Sequence, residues 1–235
     1  MALSHYRTFA LRGVPIDDLL RAFSSPDLIE IVALTLRVTG LALLIATIVG
    51  VPLGALIGLS RFRGKSVVRA VLYTGMGLPP VVVGLFVYLL LSRSGPLGSL
   101  RWLFTPSAMI AAQIVIALPL TIGLTMTSVE SVNPELRRQI IALGATRSQT
   151  ALTILTEARI GVTAAIVAAF GGIISEVGAV MLVGGNIAGQ TRVLTTAIVL
   201  ETRQGDFSLA LALGVILLTI TLVVNVALMK LQGRT

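Results

Sequence analysis

The sequence predicts an all-α integral membrane protein with about five transmembrane helices, and three observations predict it. Of its 235 residues, 55% are hydrophobic and only 12% charged, and the mean hydropathy is +0.98. That is more apolar material than a soluble core of this size uses. The apolar residues gather in five runs, near 31–59, 67–91, 108–127, 161–183 and 207–229, each as long as the ~20 residues that cross a hydrocarbon core. The runs are continuous rather than alternating, which selects helices over barrel strands.

Residues 1–30 lack the uninterrupted apolar stretch of a signal peptide. Within them 15–23, PIDDLLRAF, reads as a short amphipathic helix lying on the outer surface. A single transmembrane domain is expected over 31–230, because no loop is long enough to hold a soluble core. The first span carries Gly50, Gly54 and Gly58 at four-residue spacing, a stripe of small residues that lets a neighbouring helix come close. Arg37, about two turns into that span, is expected to snorkel outward along its own stem. The second span contains Gly75, Gly77, Pro79 and Pro80, and the first and third contain Pro52 and Pro119. Each proline removes a backbone donor inside hydrocarbon, which interrupted, moving helices tolerate. Ala164, Ala168 and Gly172 repeat the small-residue stripe in the fourth span. Residues 190–203 are apolar in the middle and polar at both ends, too short to span, and read as an interfacial or re-entrant helix. The fifth span is followed by a short tail, 231–235.

The net charge of +8 does not form the single basic face that nucleic acid requires. Lys and Arg sit at span ends and in short loops, the pattern of membrane topology. The densest cluster, Arg61, Arg63, Lys65 and Arg69, places the loop after the first span in the cytoplasm. The stretch with Arg137, Arg138, Arg147 and Arg159 is then cytoplasmic, as is the tail with Lys230 and Arg234, and five spans put the N-terminus outside. Arg7, Arg12, Arg21, Arg93, Arg101, Arg192 and Arg203 fall outside, so the bias is modest. The expected location is the cell membrane of a prokaryote.

Without cysteine, and with one histidine at position 5, the chain lacks thiolate metal sites and the residues of intramembrane Ser/His or HExxH chemistry. No metal site or catalytic residue is expected. GLSRFRGKS, 58–66, nearly matches a phosphate-binding loop, but the glycine spacing is wrong and a membrane helix precedes it. Any ATP and magnesium used must therefore be bound by another subunit.

Between the third and fourth spans lies a polar stretch, 133–159. Asn133 and Pro134 read as an N-cap followed by proline at the first helical position, and Leu136, Ile140 and Leu143 then fall on one face. Gly144 ends that helix. Thr146 and Gln149 have capping-box spacing and start a second helix. The segment thus predicts two helices meeting at a glycine elbow, whose exposed apolar face flanked by arginines suits a partner's groove.

ALGATRSQTALTIL, within this stretch, resembles the cytoplasmic loop of type I ABC-importer permeases, with Gly144 and Ile154 at the family's spacing. The family's Glu-Ala-Ala triplet is replaced by Arg138, Gln139 and Ile140, and its terminal Leu-Pro by Thr156 and Glu157. A second stretch, ISEVGAVMLVGGNIAGQTRVLTTAIVLETRQGDF at 174–207, is similar to permeases for tungstate, molybdate and sulfate, closest to the tungstate-specific branch. The resemblance implies a homodimer in the lipid bilayer, with two ABC ATPase subunits and an extracytoplasmic oxyanion-binding protein. On it, Glu135, Arg138, Ala142, Gly144, Ala145 and Thr146 would couple to the ATPase. A translocation path or gate would be formed by Ser175, Glu176, Gly178, Gly184, Gly185, Asn186, Thr191 and Arg192.

Glu176 is the carboxylate well inside a span, and inserting one there costs on the order of 3 kcal/mol. Coulomb repulsion argues against its holding a dianion. A role as a protonated or hydrogen-bonded latch is expected instead. Gly184, Gly185 and Asn186 offer backbone donors for an anion nest near the outer mouth, followed by Thr191, Arg192, Thr195 and Thr196. Arg192 and Arg203 equally suit a docking surface for a binding protein or plain interface anchors. Molybdate or sulfate import is the alternative within this architecture. An ion-coupled secondary transporter is the alternative outside it, but it needs inverted repeats, and polar midplane residues beyond Glu176 and Gln113.

Overall fold

The computed structural model describes residues 26–232, all of them helix or short connection. The expected surface helix at 15–23 and the tail from 233 lie outside the described residues. Ten α-helices follow in order: α1 (Pro26–Leu59), α2 (Lys65–Met76), α3 (Pro80–Leu91), α4 (Pro106–Glu130), α5 (Pro134–Ala142), α6 (Arg147–Glu157), α7 (Arg159–Ile174), α8 (Gly178–Gly184), α9 (Leu194–Gln204) and α10 (Phe207–Gln232). Three of them, α1, α4 and α10, are long and apolar enough to cross a membrane, and the number reaches five if each of two bent pairs is one span.

The first pair is α2 and α3, bent by 98°. The sequence predicts a span at 67–91 that carries helix breakers, and the break falls at them. Pro79 and Pro80 bring no backbone donors, and α3 restarts with Pro80 at its first position. The second pair is α6 and α7, bent by 70° at Ala158. The expected fourth span, 161–183, is also interrupted: α7 ends at Ile174, and Ser175, Glu176 and Val177 separate it from α8. α9 is the short helix expected near 190–203, closed by Gly205 in the left-handed region at φ 86°.

α1 and α4 form the spine of the bundle. The Gly50, Gly54 and Gly58 stripe of α1 faces α4. A methyl group on Gly50 would collide with the Thr121 side chain, one on Gly54 would sit 2.6 Å from the Ile122 carbonyl, and one on Gly58 3.0 Å from the Met126 carbonyl. Close approach lets Thr121 Oγ1 donate across the seam to the Ala46 carbonyl at 3.2 Å. The second small-residue stripe does not pack as expected: Ala164, Ala168 and Gly172 are exposed. The neighbouring row of α7, Gly161, Ala165, Ala169 and Ile173, is the one turned inward, with Ala165, Ala169 and Ile173 at 0% exposure. A helix rich in Ala and Gly offers several such rows, and spacing alone does not choose among them.

Candidate functional site

The elbow forms as its capping residues dictate. The Asn133 side chain accepts the Glu135 N–H at 2.8 Å, Pro134 opens α5, and Gly144 turns the chain at φ 86°. Thr146 and Gln149 close a reciprocal capping box: Gln149 N–H donates to Thr146 Oγ1 at 3.3 Å and Thr146 N–H to Gln149 Oε1 at 2.8 Å.

One face of the elbow holds it to the bundle. Ile154 of α6 and Ala158 at the α6–α7 bend are buried with Ala55 of α1 and Val129 of α4, and Leu136, Ile140, Leu155 and Val132 pack against them. The predicted face of Leu136, Ile140 and Leu143 is therefore divided. Leu136 and Ile140 turn inward, whereas Leu143 lies beyond the last residue of α5, escapes its periodicity and is 88% exposed. Ile141, not singled out from the sequence, and Leu152, on the predicted second helix, are also exposed. Around this apolar tip lie exposed Arg138, Arg147, Ala142, Gly144 and Thr146, with Ala145 half-buried. Glu135 Oε2 and an Arg138 nitrogen pair at 3.0 Å across one helical turn.

A cluster absent from the sequence reading fastens the same end of the bundle. Lys65 Nζ donates to the carbonyls of Gly58 and Ser60, each at 2.9 Å, and lies 2.9 Å from Glu130 Oε1. Arg69 donates to both oxygens of Glu130, at 2.9 and 2.8 Å. The ends of α1 and α4 and the start of α2 are thereby tied together. The signal was present as Glu130 at the end of an apolar run, but its partners are more than sixty residues away in the chain.

The predicted gate residues fall at the two ends of α8. At its start, Ser175 Oγ donates back to the Gly171 carbonyl at 2.7 Å. Glu176 is buried; its Oε1 accepts the Ala179 N–H at 2.8 Å, capping α8, and its carbonyl accepts from Thr195 Oγ1 of α9 at 2.9 Å. The acid thus caps the helix that follows it, and its link to a neighbouring helix runs through its backbone. Gln113 Nε2 of α4 donates to the Ile173 carbonyl at 3.0 Å, just before the break. Gly178 is required because any side chain there would run into Val81 of α3.

At the other end of α8, where the anion nest is expected, part of the loop's hydrogen bonding closes on the loop itself. Gly185 N–H donates to the Met181 carbonyl at 2.9 Å, and Ile187 N–H to Thr191 Oγ1 at 2.9 Å. Thr191 Oγ1 in turn donates to the Gly184 carbonyl at 2.6 Å, and the backbone N–H groups of Gln190, Thr191 and Arg192 converge on the Ile187 carbonyl. Asn186 holds the turn at φ 52° and leaves its Oδ1 buried without a partner. Beside this loop is a cavity of about 730 Å³ lined by Arg192 and Gln190, with Asp27, Glu30 and Arg37 from α1. Arg37 is three turns into α1, because the helix starts at Pro26 rather than 31, and it is one of the residues lining this mixed-charge cavity. Burial, reinforced by the Asp206 carboxylate, raises the Glu201 carboxyl above its ordinary value, and the charge of Arg192 opposes that rise.

Residues 50–234 match the family described as binding-protein-dependent transport system inner membrane component. The chain is similar to a probable anion ABC transporter permease protein of Haloferax volcanii, 46% identical over 88% of this chain and 92% of that one. It is also similar to a tungstate uptake system permease protein of Peptoclostridium acidaminophilum, 42% identical over 92% and 94% of the two chains. A crystal structure of a bacterial ABC transporter involved in the import of the acidic polysaccharide alginate has a chain with the same fold, at a TM-score of 0.76 and 22% identity, covering 99% of this chain and 88% of that one. An elbow braced against a bundle of apolar helices and these matches lead to one assignment: the chain belongs to the binding-protein-dependent transport system inner membrane components, the permease subunits of ABC importers.

Proposed function

We propose that this permease carries tungstate into the cell, working as a homodimer with two ATPase subunits and an extracytoplasmic oxyanion-binding protein. The observation that carries the reading is the elbow. Leu143 and Leu152 are large apolar side chains that the elbow leaves exposed, while buried Ile154 on the same unit grips α1 and α4. Such a tip fits a groove in a partner, and its grip passes the partner's movement to the spans. The 42% identity to a tungstate uptake permease supports the choice of anion.

The elbow end faces the cytoplasm, and the cavity with Arg37 and Arg192 faces outward. ATP bound by the partner subunits draws the two elbows of the dimer together and opens the path outward; hydrolysis lets it reopen inward. Selection for the anion resides mainly in the binding protein, because a path that held the dianion tightly would not release it. Glu135, Arg138, Ala142, Gly144, Ala145 and Thr146 serve the ATPase contact. Ser175, Glu176, Gly178, Gly184, Gly185, Asn186, Thr191 and Arg192 frame the moving segment around α8.

The test is isolation of the complex through a tag on this chain, followed by reconstitution with the binding protein in vesicles. ATP-dependent uptake is expected with tungstate, and competition by molybdate and sulfate ranks the anions. Uptake by vesicles holding this chain with no ATPase subunit would overturn the reading.

A further inference from the structure

A second cavity, of about 700 Å³, opens at the elbow end between the last turns of α1 and α4 and the inner side of α5. Arg61, Lys65, Arg137 and Arg138 line it, against the carboxylate of Glu130. Glu130 is already shared between Lys65 and Arg69, and Arg138 is paired with Glu135. Arg61 and Arg137 form no ion pair among the described residues. One comes from the turn between α1 and α2 and the other from α5. Leu59, Val129, Ile141 and Ile154 supply apolar walls, which lower the local dielectric and strengthen the attraction for a negative charge.

We propose that this cavity is a binding site for a tetrahedral oxyanion group, with Arg61 and Arg137 as its principal ligands. Planar guanidinium forks match paired oxygens of such a group better than an ammonium does. Two sources share this chemistry: a free divalent oxyanion on the elbow side, and the phosphate of an anionic lipid headgroup. The inference goes beyond the transport reading and does not depend on which anion is carried. An occupant touches both the α1–α2 turn and α5, so it bridges the spans and the elbow that moves against them.

The test uses the full chain in lipid nanodiscs. Tungstate binding is measured by equilibrium dialysis in phosphatidylcholine discs and again in discs containing phosphatidylglycerol, with retained lipid measured by mass spectrometry. Arg61→Gln with Arg137→Gln should weaken tungstate binding by roughly ten- to a hundredfold, the worth of charge-assisted hydrogen bonds. Arg61→Gln by itself, in an exposed turn, should give part of that loss. Arg93→Gln with Arg101→Gln removes the same charge elsewhere and should leave binding unchanged. If phosphatidylglycerol suppresses tungstate binding and the double variant retains less of that lipid, the headgroup is the natural occupant. If both probes bind the double variant as they bind the wild type, or the control pair weakens binding equally, the site is overturned. Uptake by the reconstituted complex stays a separate measurement, so failure here leaves the transport reading intact.

Discussion

Gln113, in the first third of α4, donates from Nε2 to the carbonyl of Ile173 at 3.0 Å, in the last turn of α7 before the chain breaks at Ser175. Its other amide atom, Oε1, is buried without a partner. A buried amide that is only half satisfied fits a segment with more than one arrangement, since each arrangement can use a different part of it. Replacing Gln113 by Leu leaves the Ile173 carbonyl with the backbone donors that follow it, Ser175 N–H and, at 3.3 Å, Glu176 N–H. The expected cost is about 1 kcal/mol, read as a lower thermal midpoint of the purified chain, with uptake falling more than assembly.

Gly54 and Gly40 both lie in α1, and the structure separates them. Gly54→Leu should prevent α1 from seating on α4, because even its first carbon would press into the Ile122 carbonyl and Thr125; little folded protein should be recovered by size-exclusion chromatography. Gly40 has open space around it, so Gly40→Ala should be neutral or stabilise by up to about 1 kcal/mol through helix propensity. Equal recovery of the two variants would contradict the seam.

Glu176→Gln keeps an oxygen able to accept from Ala179 N–H, so uptake in reconstituted vesicles should remain substantial. Glu176→Ala removes the cap of α8 and should cost about 1 kcal/mol, with reduced uptake. Abolished transport by an intact Gln complex would instead make the negative charge itself essential.

At the tip of the elbow, Leu143→Glu changes a side chain that is 88% exposed, so the thermal midpoint of the isolated chain should not move. Co-purification of the ATPase subunit should drop sharply, because a carboxylate then enters the partner's apolar groove without a counter-charge. Retention of the ATPase at wild-type yield would place its docking surface elsewhere.

Much of the architecture was legible because its causes are local. Apolar run length marks α1, α4 and α10, and the short middle helix α9 follows from its polar ends. Asn133, Pro134, Gly144, Thr146 and Gln149 specify the elbow by capping chemistry that acts within a few residues. The kink of the second span sits where Gly77, Pro79 and Pro80 stand. The break at Ser175 was less visible, since a hydropathy run continues across it and only the buried Glu176 interrupts the pattern.

The sequence by itself determined that the chain crosses a membrane and that an arginine-bearing elbow, turning at Gly144, stands outside the spans, because hydrophobicity and capping depend on neighbours along the chain. Only the tertiary structure decided which small-residue row of α7 packs, that Leu136 and Ile140 turn inward while Leu143 points out, and that Glu130 gathers Lys65 and Arg69. Those choices depend on which surfaces meet across the bundle. A helix carries several faces of equal spacing, and the helix that lies against it selects one.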